Sequence, residues 1–457
     1  MTFDPVTTEA AINNDALSLL GTQIGSLRND SLQGTAEADV LVGNGGRDRL
    51  LGDQGNDVLV SGDPVAQSPT APQQFGGDEQ TETFILRQEA GQPVLERTTP
   101  NPIIQPIQDL EQFTLQASGG DDSLTIGDLT GTTLRSIRLQ GGDGKDSLNG
   151  NGASIPIVAQ GDENDDSLIG GISDDTLDGG NGQDSLVGGK GADRLLGGLE
   201  NDFFTWNPGD GSDQISGGAG SDTSVVNTAP EDELFSIRQD GQNIRLDRFT
   251  QTPFSMNYQE VERVELNASG GNDILIADRL LDPNIRELVF LGGEGNDIAV
   301  GSSSDKSLIA RGELGDDLLL GGSSDDVLSG GGGSDRLLGG AGANQFVFSS
   351  GQPFAAADLG IDTIVDFKPG TDKISLDPTT FAALAGSQVQ GAIPETALAN
   401  VSTDEDAATS EAIIVQSQSG KLFYNSNGAE AGFGNGAQFA ELLGGATLTT
   451  NDLILQA

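Results

Sequence analysis

The residues in this chain that could do chemistry are aspartates that recur every nine positions. Two of the units, residues 179–187 and 330–338, both follow the pattern G-G-x-G-x-D-x-L-x. If two units form one coil of a stacked repeat, aspartates 18 residues apart lie above one another at strand spacing, about 4.8 Å. Carboxylates at that separation repel each other unless a cation lies between them. The pattern therefore predicts columns of cation sites.

The cation that fits this pattern is calcium. The chain has no Cys and no His, so the side chains that favour transition metals are missing and the ligands on offer are oxygens. Glycines accept positive φ and let the backbone curl so that its carbonyl oxygens point inward beside the carboxylates. A flexible set of oxygens selects Ca²⁺ over Zn²⁺ or Cu²⁺, and many carbonyls at a loose radius favour Ca²⁺ over Mg²⁺. We therefore expect multiple calcium ions as the cofactor.

The predicted calcium ligands are repeat side chains and loop backbone groups. The side chains are those of Asp39, Asp48, Asp57, Asp122, Asp146, Asp166, Asp175, Asp184, Asp193, Asp202, Asp213, Asp222, Asp273, Asp297, Asp317, Asp326, Asp335 and Asp362. The backbone groups are those of Gly179, Gly182, Gly188, Gly191, Gly330 and Gly333.

The 18-residue rule arranges these side chains in two columns. The first is expected to contain Asp166, Asp184, Asp202 and Asp222, and the second Asp175, Asp193 and Asp213. Coils of 24 and 20 residues extend the first column back to Asp122, and the same intervals recur between Asp273 and Asp317. Asn344 replaces an aspartate, so we expect a poorer site there, with Asp362 following it 18 residues later.

The composition excludes several other kinds of function. The net charge is −48, from 22 Lys and Arg against 70 Asp and Glu, so the chain should repel nucleic acid and anionic membranes. Without Cys there are no disulfides or thiolate nucleophiles, and without His the usual general base is missing, so we predict that the protein is not an enzyme. No apolar stretch is long enough to span a membrane, and the first residues do not resemble a secretory signal.

The nonapeptide needs neighbours in order to hide its leucines. Three residues of extended chain per unit cannot bury a core alone, so the units must stack into a solenoid. A second period of 151 residues indicates a tandem duplication in the middle of the chain, in which Phe84 maps to Phe235 and Asp166 to Asp317. The sequence therefore predicts an all-β solenoid of nonapeptide repeats with small capping elements at both ends.

Six segments follow from these patterns. They are an N-terminal cap at 1–29, a first repeat block at 30–62, a loop insertion at 63–82, a strand segment with a repeat block at 83–233, its duplicate at 234–360, and a C-terminal cap at 361–457. Apolar residues at near-helical spacing up to Ile24 predict a short amphipathic helix in the N-terminal cap. In the C-terminal cap we expect strands within 361–376 and at 412–415, 421–425 and 452–455, with helices from Asp377 and near 437–443.

The two strand segments carry much of the basic charge and leave two interpretations open. Their arginines are Arg87, Arg97, Arg238, Arg245, Arg248 and Arg263. These side chains either form a face that binds an acidic polysaccharide or pair with acids on neighbouring strands. Trp206 likewise either stacks on a sugar or packs against the solenoid.

The G-G-x-G-x-D-x-L-x arrays resemble the RTX, or haemolysin-type, calcium-binding repeat family over roughly residues 30–376. The phrase DFFTWNPGDGSD at 202–213 looks like one common in its bacterial members. Segments 366–374, 422–428 and 448–455 are similar to C-terminal regions of RTX proteins secreted by type I systems, cyanobacterial ones included. The resemblance implies a parallel β-roll with Ca²⁺ between successive turns and a secretion signal within 361–457. Glu37, Glu163 and Leu314 stand where we expect the family's glycines.

These observations predict a secreted, extracellular protein that folds when it binds calcium. In many RTX proteins the repeats follow an effector domain, but here the repeats and caps account for almost the whole sequence. We therefore expect a structural role in a cell-surface layer, matrix or fibril, with self-association into a surface polymer. A calcium-dependent adhesin or polysaccharide-binding protein is the alternative.

Overall fold

The computed structural model describes residues 22–24, 31–33, 40–42, 49–51, 58–60, 73–77 and 80–456, apart from 100–101, 108–109, 251, 282–283, 302–303, 386–392, 429 and 431. The predicted ligands Asp39, Asp48 and Asp57 lie outside these residues, as does most of the predicted N-terminal helix. The chain divides into two compact units, Met1–Glu200 and Asn201–Ala457.

The first unit is built from short strands. They are β1 (Thr22–Ile24), β2 (Ser31–Gln33), β3 (Val40–Val42), β4 (Arg49–Leu51), β5 (Val58–Val60), β6 (Gln73–Gly76), β7 (Thr83–Glu89), β8 (Gln92–Thr99), β9 (Ile103–Pro106), β10 (Gln112–Gly119), β11 (Ser123–Ile126), β12 (Ser136–Asp143), β13 (Ser147–Asn149), β14 (Ile157–Glu163), β15 (Ser167–Ile169), β16 (Thr176–Asn181), β17 (Ser185–Val187) and β18 (Arg194–Leu199). The three-residue strands β13, β15 and β17 correspond to the x-Leu-x half of the nonapeptide, because glycine-containing turns interrupt the extended chain on both sides.

Most strands of this unit belong to two sheets. One sheet has the order β6-β10-β12-β14-β16-β18, and the other has the order β9-β8-β7-β11-β13-β15-β17. Pairing is parallel except in the β7-β8-β9 meander, which is antiparallel. Successive coils stack in register, so that Leu148 pairs with Leu168 and Leu168 with Leu186. Strands β1-β3-β5 and β2-β4 form two smaller parallel sheets.

The second unit has the same construction. Its strands are β19 (Phe203–Trp206), β20 (Gln214–Ala219), β21 (Thr223–Asn227), β22 (Leu234–Asp240), β23 (Asn243–Arg248), β24 (Phe254–Gln259), β25 (Arg263–Asn267), β26 (Ile274–Ala277), β27 (Glu287–Glu294), β28 (Ile298–Val300), β29 (Ser307–Leu314), β30 (Leu318–Leu320), β31 (Val327–Gly332), β32 (Arg336–Leu338), β33 (Gln345–Phe348), β34 (Asp362–Ile364), β35 (Lys373–Leu376), β36 (Leu398–Val401), β37 (Ile414–Ser417), β38 (Lys421–Tyr424), β39 (Gln438–Leu442) and β40 (Leu453–Leu455).

The strands of the second unit also form two sheets. One has the order β19-β21-β25-β27-β29-β31-β33-β35-β40, and the other has the order β20-β24-β23-β22-β26-β28-β30-β32-β34-β39-β38-β37-β36. Antiparallel pairs occur within β22-β23-β24 and β37-β38-β39. The predicted duplication is visible here, because the bounds of β13 recur 151 residues later in β28 and those of β17 in β32.

The core is formed by the inward residue of each short strand. Leu148, Leu168 and Leu186 are 0% exposed, as are Leu319 and Leu337 in the second unit. The residues on either side of them point outward, as the pleat of a strand requires. The predicted all-β fold, a parallel β-solenoid of nonapeptide repeats, is thus confirmed.

Helices are short throughout the described residues. The α-helices are α1 (Ala356–Leu359) and α2 (Asp404–Ala407), and 3-10 helices span Ala382–Leu384, Glu395–Ala397 and Thr450–Asp452. In the part of the chain that the structure describes, no helix is long and apolar enough to cross a membrane.

Several local predictions need correction. Residues 437–443 were expected to form a helix but contain β39, which pairs with both β34 and β38 and buries Phe439 at 1% exposure. The helix expected from Asp377 is reduced to a turn followed by the 3-10 helix Ala382–Leu384. Ile24 ends strand β1, so no helix reaches it. In β1 and β39, pairing with neighbouring strands outweighs local helix propensity.

The segment expected to be a surface loop, 63–82, also contains regular structure. Gln73–Gly76 forms β6 and pairs with β10. Phe75 is 5% exposed, and its ring centroid lies 5.0 Å from that of Phe113.

Candidate metal centre

Several of the repeat loops that the structure describes fold their aspartate back over the first glycine of the same loop. A Cβ added to Gly179 would overlap Oδ2 of Asp184, and a Cβ added to Gly330 would overlap Oδ2 of Asp335. Gly188 has the same relation to Asp193. In these three loops glycine is therefore required five residues before the aspartate, because the carboxylate occupies the space that a side chain would need.

The other loop glycines are required for their backbone angles. Gly182, Gly191 and Gly333 have φ values of 141°, 125° and 136°, which side chains with a Cβ rarely adopt. Asp162 and Glu313 adopt φ values of 78° and 75° at the second glycine position. These residues replace the glycines, and the prediction that Glu163 and Leu314 do so was wrong by one position.

Backbone hydrogen bonds join the aspartates of successive turns into rows, which we call the acidic ladders. The N–H of Asp146 donates to Oδ1 of Asp166 at 2.7 Å, and that of Asp166 donates to Oδ1 of Asp184 at 2.8 Å. The same bond connects Asp122 to Asp146, Asp175 to Asp193, Asp202 to Asp222, Asp273 to Asp297, Asp297 to Asp317 and Asp317 to Asp335. The vertical stacking of the predicted ligands is therefore present within both units.

The predicted aspartates that the structure describes are all buried. Their exposed fractions lie between 0% and 4%, and they are Asp122, Asp146, Asp166, Asp175, Asp184, Asp193, Asp202, Asp213, Asp222, Asp273, Asp297, Asp317, Asp326, Asp335 and Asp362. Charged carboxylates are rarely buried in this way without a partner of opposite charge. A buried carboxylate needs either a cation or hydrogen bonds to both of its oxygens.

Many of these carboxylates have one buried oxygen that no described residue satisfies. Oδ2 receives no hydrogen bond from the described residues in Asp146, Asp166, Asp222, Asp273, Asp297, Asp317 and Asp335. In all of these except Asp273, which has Ala268 at that position, the second oxygen faces the first glycine of the loop. An unsatisfied buried oxygen of this kind is costly unless a ligand completes it.

A backbone carbonyl of the next turn borders the same space. The carbonyl oxygen of Gly179 lies 2.5 Å from the point where a Cβ of Gly161 would stand, beside Oδ2 of Asp166. The carbonyl oxygen of Gly330 lies 2.7 Å from the corresponding point at Gly312, beside Oδ2 of Asp317. We call this space, bordered by a glycine, a carboxylate and a carbonyl, the glycine cradle.

The environment of the ladders raises the pKa of their carboxyl groups. Burial raises the pKa of Asp166 and Asp273 to about 8, and that of Asp317 to about 7. The backbone hydrogen bond to each carboxylate lowers the pKa, and carboxylates of the adjacent turns raise it again. The folded chain without a cation thus favours the protonated, neutral form of these carboxyl groups. A cation between the turns would favour the ionised form instead.

Two predicted ligands outside the first column have both carboxylate oxygens satisfied by backbone N–H groups. Asp175 accepts hydrogen bonds from the N–H groups of Ile157 at 2.7 Å and Gly171 at 2.5 Å. Asp326 accepts from Leu308 at 2.8 Å and Gly322 at 2.6 Å. Burial still raises the pKa of both to about 6. Their role as metal ligands stays a prediction.

The predicted position of Asp362 in the second column is wrong. Oδ1 of Asp362 accepts from the N–H of Asp335 at 3.2 Å, which places it in the first column, and Asp372 follows Asn344 instead. The inserted segment with α1 lengthens the coil, so the 18-residue rule fails there. Nδ2 of Asn344 is buried beside Gly339 and donates no hydrogen bond to the described residues. An N–H₂ group in this cradle supports the expectation of a poorer site.

The structure also places acids in the ladders that the nonapeptide pattern did not identify. Glu82, Glu233 and Glu262 hold ladder positions, because each accepts or donates the same bond between turns. An exposed second row accompanies the ladders, in which Oδ1 of Asp165 accepts from the N–H of Gln183 at 3.0 Å. Repeated N-D and D-D pairs were the sequence signal for this row. The glutamates had none, because they lie outside the nonapeptides.

The arginines of the strand segments pair with nearby acids. Exposed or half-buried examples are Arg87 with Glu89 and Glu96, Arg238 and Arg245 with Asp247, and Arg263 with Glu265 and Glu287. Arg97 and Arg248 are buried, with exposed fractions of 7% and 5%. Trp206 is 2% exposed and stacks on Phe254 at 4.1 Å, so the interpretation that it packs within the fold is confirmed.

A hard cation fits the glycine cradles. The donors available there are unsatisfied carboxylate oxygens and neighbouring backbone carbonyls. Because the chain has no Cys or His, the donor set contains only oxygens, which suits Ca²⁺. Among the described residues, no group of three or more acidic side chains is placed to hold a metal ion, so backbone carbonyls would have to supply many of the ligands.

Comparison with known families supports the same conclusion. The family model for the RTX calcium-binding nonapeptide repeat (4 copies) matches residues 24–59, 138–154, 160–195, 169–204, 209–223 and 311–346. A comparison with curated proteins gives no match. The matched segments contain the loops of Asp146, Asp166, Asp184, Asp317 and Asp335.

Proposed function

The chain is an RTX-repeat protein, and we propose that it folds when calcium ions complete its acidic ladders and then serves outside the cell as a structural component. The single observation that carries this proposal is the row of buried carboxylates with an unsatisfied Oδ2, of which Asp166 and Asp317 are examples. Each ion would lie between two turns, with oxygens of the glycine cradle as ligands.

Charge makes folding and metal binding one equilibrium. Without a cation, a net charge of −48 opposes compaction, and the stacked carboxylates repel one another. Bound Ca²⁺ neutralises pairs of carboxylates, so stability rises with the free calcium concentration. Sites of extracellular modules have dissociation constants of about 10⁻⁴ to 10⁻³ M, which suits a protein that stays unfolded in the cell and folds outside it.

The extracellular part of the proposal includes the route of export. Residues 361–457 contain the segments that resemble C-terminal regions of RTX proteins secreted by type I systems. We propose that a secretion signal lies in this region. A chain whose repeats are kept unfolded by low calcium would suit passage through such a system.

The structural part of the proposal is a role in a surface layer, matrix or fibril. It is supported by the share of the sequence that the solenoid and its additional strands occupy in both units. The arginines that a polysaccharide-binding face would use are paired with acids, and two of them are buried. Arg97 and Arg248 therefore do not support the adhesin alternative, because they are buried and already paired with glutamates.

The test is a calcium titration of the full chain, followed by far-UV circular dichroism and electron microscopy. We expect β-structure to appear with a midpoint of about 10⁻⁴ to 10⁻³ M Ca²⁺ and ordered polymers to form above it. An unchanged spectrum after chelation would contradict coupled folding. Calcium-dependent retention on an acidic polysaccharide without polymers would favour the adhesin instead.

A further inference from the structure

Two buried ion pairs lie where the acidic ladders meet the antiparallel hairpins. Nη1 of Arg97 donates to Oε1 of Glu82 at 2.8 Å, and Nη1 of Arg248 donates to Oε1 of Glu233 at 2.7 Å. Both glutamate side chains are 0% exposed. The two pairs are 151 residues apart, so the ion pair recurs with the period of the duplication.

The glutamates hold the same ladder position as a repeat aspartate. The N–H of Glu82 donates to Oδ1 of Asp122 at 2.7 Å, and the N–H of Glu233 donates to Oδ1 of Asp273 at 2.8 Å. A Cβ added to Gly77 would overlap Oε2 of Glu82, which repeats the relation between Gly179 and Asp184.

At this position the chain supplies its own positive charge. A guanidinium stays protonated under all ordinary conditions and cannot dissociate from the chain as a calcium ion can. Arg248 is held on several sides, because Nη2 donates to the carbonyl of Thr252 at 2.6 Å and the guanidinium carbon lies 4.8 Å from the centroid of Phe254. Removing one member of such a buried pair leaves an uncompensated charge.

The arginines come from the adjacent strands of local hairpins. Arg97 lies on β8, which pairs with β7 across a turn at Gly91, and Arg248 lies on β23, which pairs with β22 across a turn at Gly241. Contacts this close in sequence cost little chain entropy to form.

We propose that Arg97 and Arg248 are built-in counter-ions that take the place of a calcium ion at these two ladder positions, so that both hairpins fold without calcium and template the repeats that follow. The inference rests on the calcium-coupled folding proposed above. A solenoid adds coils onto an existing neighbour more easily than it starts a new one, so a preformed hairpin would fix where growth begins.

The test is hydrogen exchange of the full chain, resolved by segment, in a calcium chelator and in saturating calcium. In the chelator we expect the amides of β7, β8, β22 and β23 to be protected at least about tenfold more than those of β15 and β30. In Arg97→Gln, exchange in β7 and β8 should rise in the chelator by about tenfold or more, to the rate of β15, as expected when a buried charge loses its partner. Calcium should restore the protection, because Glu82 then resembles a repeat aspartate.

Two further variants separate this effect from simple misfolding. Arg87→Gln removes a more exposed arginine of β7 that pairs with Glu89 and Glu96, and should leave the exchange pattern unchanged. The double variant Glu82→Gln/Arg97→Gln removes both charges and should recover protection in the chelator. If Arg97→Gln is unprotected in both conditions, protection in the double variant supports the inference and its absence overturns it.

The outcomes distinguish this inference from the proposed function. Hairpins that exchange as fast as the repeats in the chelator, while the repeats respond to calcium, would overturn the inference alone. An Arg97→Gln variant that keeps its hairpin protection in the chelator would do the same. Repeats that are equally protected with and without calcium would overturn the proposed function and this inference with it.

Discussion

Two regions of the second unit bury aspartates in different ways. In the repeats, Asp297 and Asp317 each accept one backbone hydrogen bond at Oδ1, and no described residue satisfies Oδ2. In the C-terminal region, residues 361–457, Asp452 is equally buried, but its Oδ1 accepts from the N–H of Gly370 at 2.7 Å and its Oδ2 from the N–H of Thr449 at 2.7 Å. Asp372 is also held at both oxygens, by Asn344 and Lys368.

The difference shows what a buried carboxylate needs. Burial raises the pKa of Asp452, but hydrogen bonds from Thr449 and Gly370 outweigh it, so the pKa lies below its ordinary value. Burial raises the pKa of Asp317 to about 7, because one backbone bond does not offset burial and neighbouring carboxylates. The backbone completes the aspartates of the C-terminal region, whereas those of the repeats are left for a cation.

The largest expected effect is a regional response to calcium removal. In a chelator, amides of β30 and β32 should exchange at least about a hundredfold faster, because their coils lose the proposed ions. Amides of β37 and β38, which form an antiparallel hairpin in the C-terminal region, should change much less. Hydrogen exchange with mass spectrometry measures both in one sample. If amide exchange became faster by the same factor in both regions, the proposed difference between the repeats and the C-terminal region would be wrong.

Next in size is a matched pair of substitutions. Asp317→Asn keeps an oxygen for the N–H of Asp297 but removes the oxygen that faces the glycine cradle, so the calcium midpoint of folding should rise by about threefold or more. Asp452→Asn places an N–H₂ group against a backbone N–H, which should lower the free energy of unfolding in calcium by about 1–3 kcal/mol. The calcium midpoint of this second variant, corrected for its lower stability, should not move. Identical shifts in both variants would contradict the account.

How much of this arrangement the sequence reveals depends on the kind of contact. The nonapeptide period was enough to predict the solenoid and the stacking of Asp166 on Asp184, because each coil repeats the same local geometry. The period could not predict that Asp372 follows Asn344, since the intervening segment has no repeat. The ion pair between Glu82 and Arg97 could not be predicted either, because it depends on the hairpin and on the neighbouring coils.

A smaller effect is expected from pH in the absence of calcium. Folded-state pKa values of about 6 for Asp146, about 7 for Asp317 and about 8 for Asp166 lie above the ordinary value of 3.8, so the folded state binds more protons than the unfolded state. This stabilisation is fully present below pH 3.8 and is lost as the pH rises through about 6 to 8.

Circular dichroism in a chelator should therefore show more β-structure at pH 5 than at pH 9. Asp452 works in the opposite direction, because its lowered pKa contributes stability that is lost as the pH falls. Calcium affinity should rise over the range in which the repeat aspartates lose their protons. A metal-free β-signal that grows with pH would count against the raised pKa values.

The smallest expected effect comes from converting an imperfect position. Asn344→Asp replaces the buried amide nitrogen beside Gly339 with an oxygen and should add about one calcium ion to the stoichiometry measured by equilibrium dialysis. The control is Asn296→Asp, on the exposed row outside the ladders, which should leave the stoichiometry unchanged. If the Asn344→Asp variant bound no additional calcium, a carboxylate oxygen beside Gly339 would not be what this position lacks.

The central claim is that calcium completes the unsatisfied oxygens of the acidic ladders. The most direct measurement is anomalous X-ray scattering from crystals grown in calcium-rich buffer. The account predicts calcium peaks in the glycine cradles beside Oδ2 of Asp297, Asp317 and Asp335, and none beside Asp452. Carboxylates of these three aspartates that are satisfied by the protein chain itself, with no calcium peak between the turns, would contradict it.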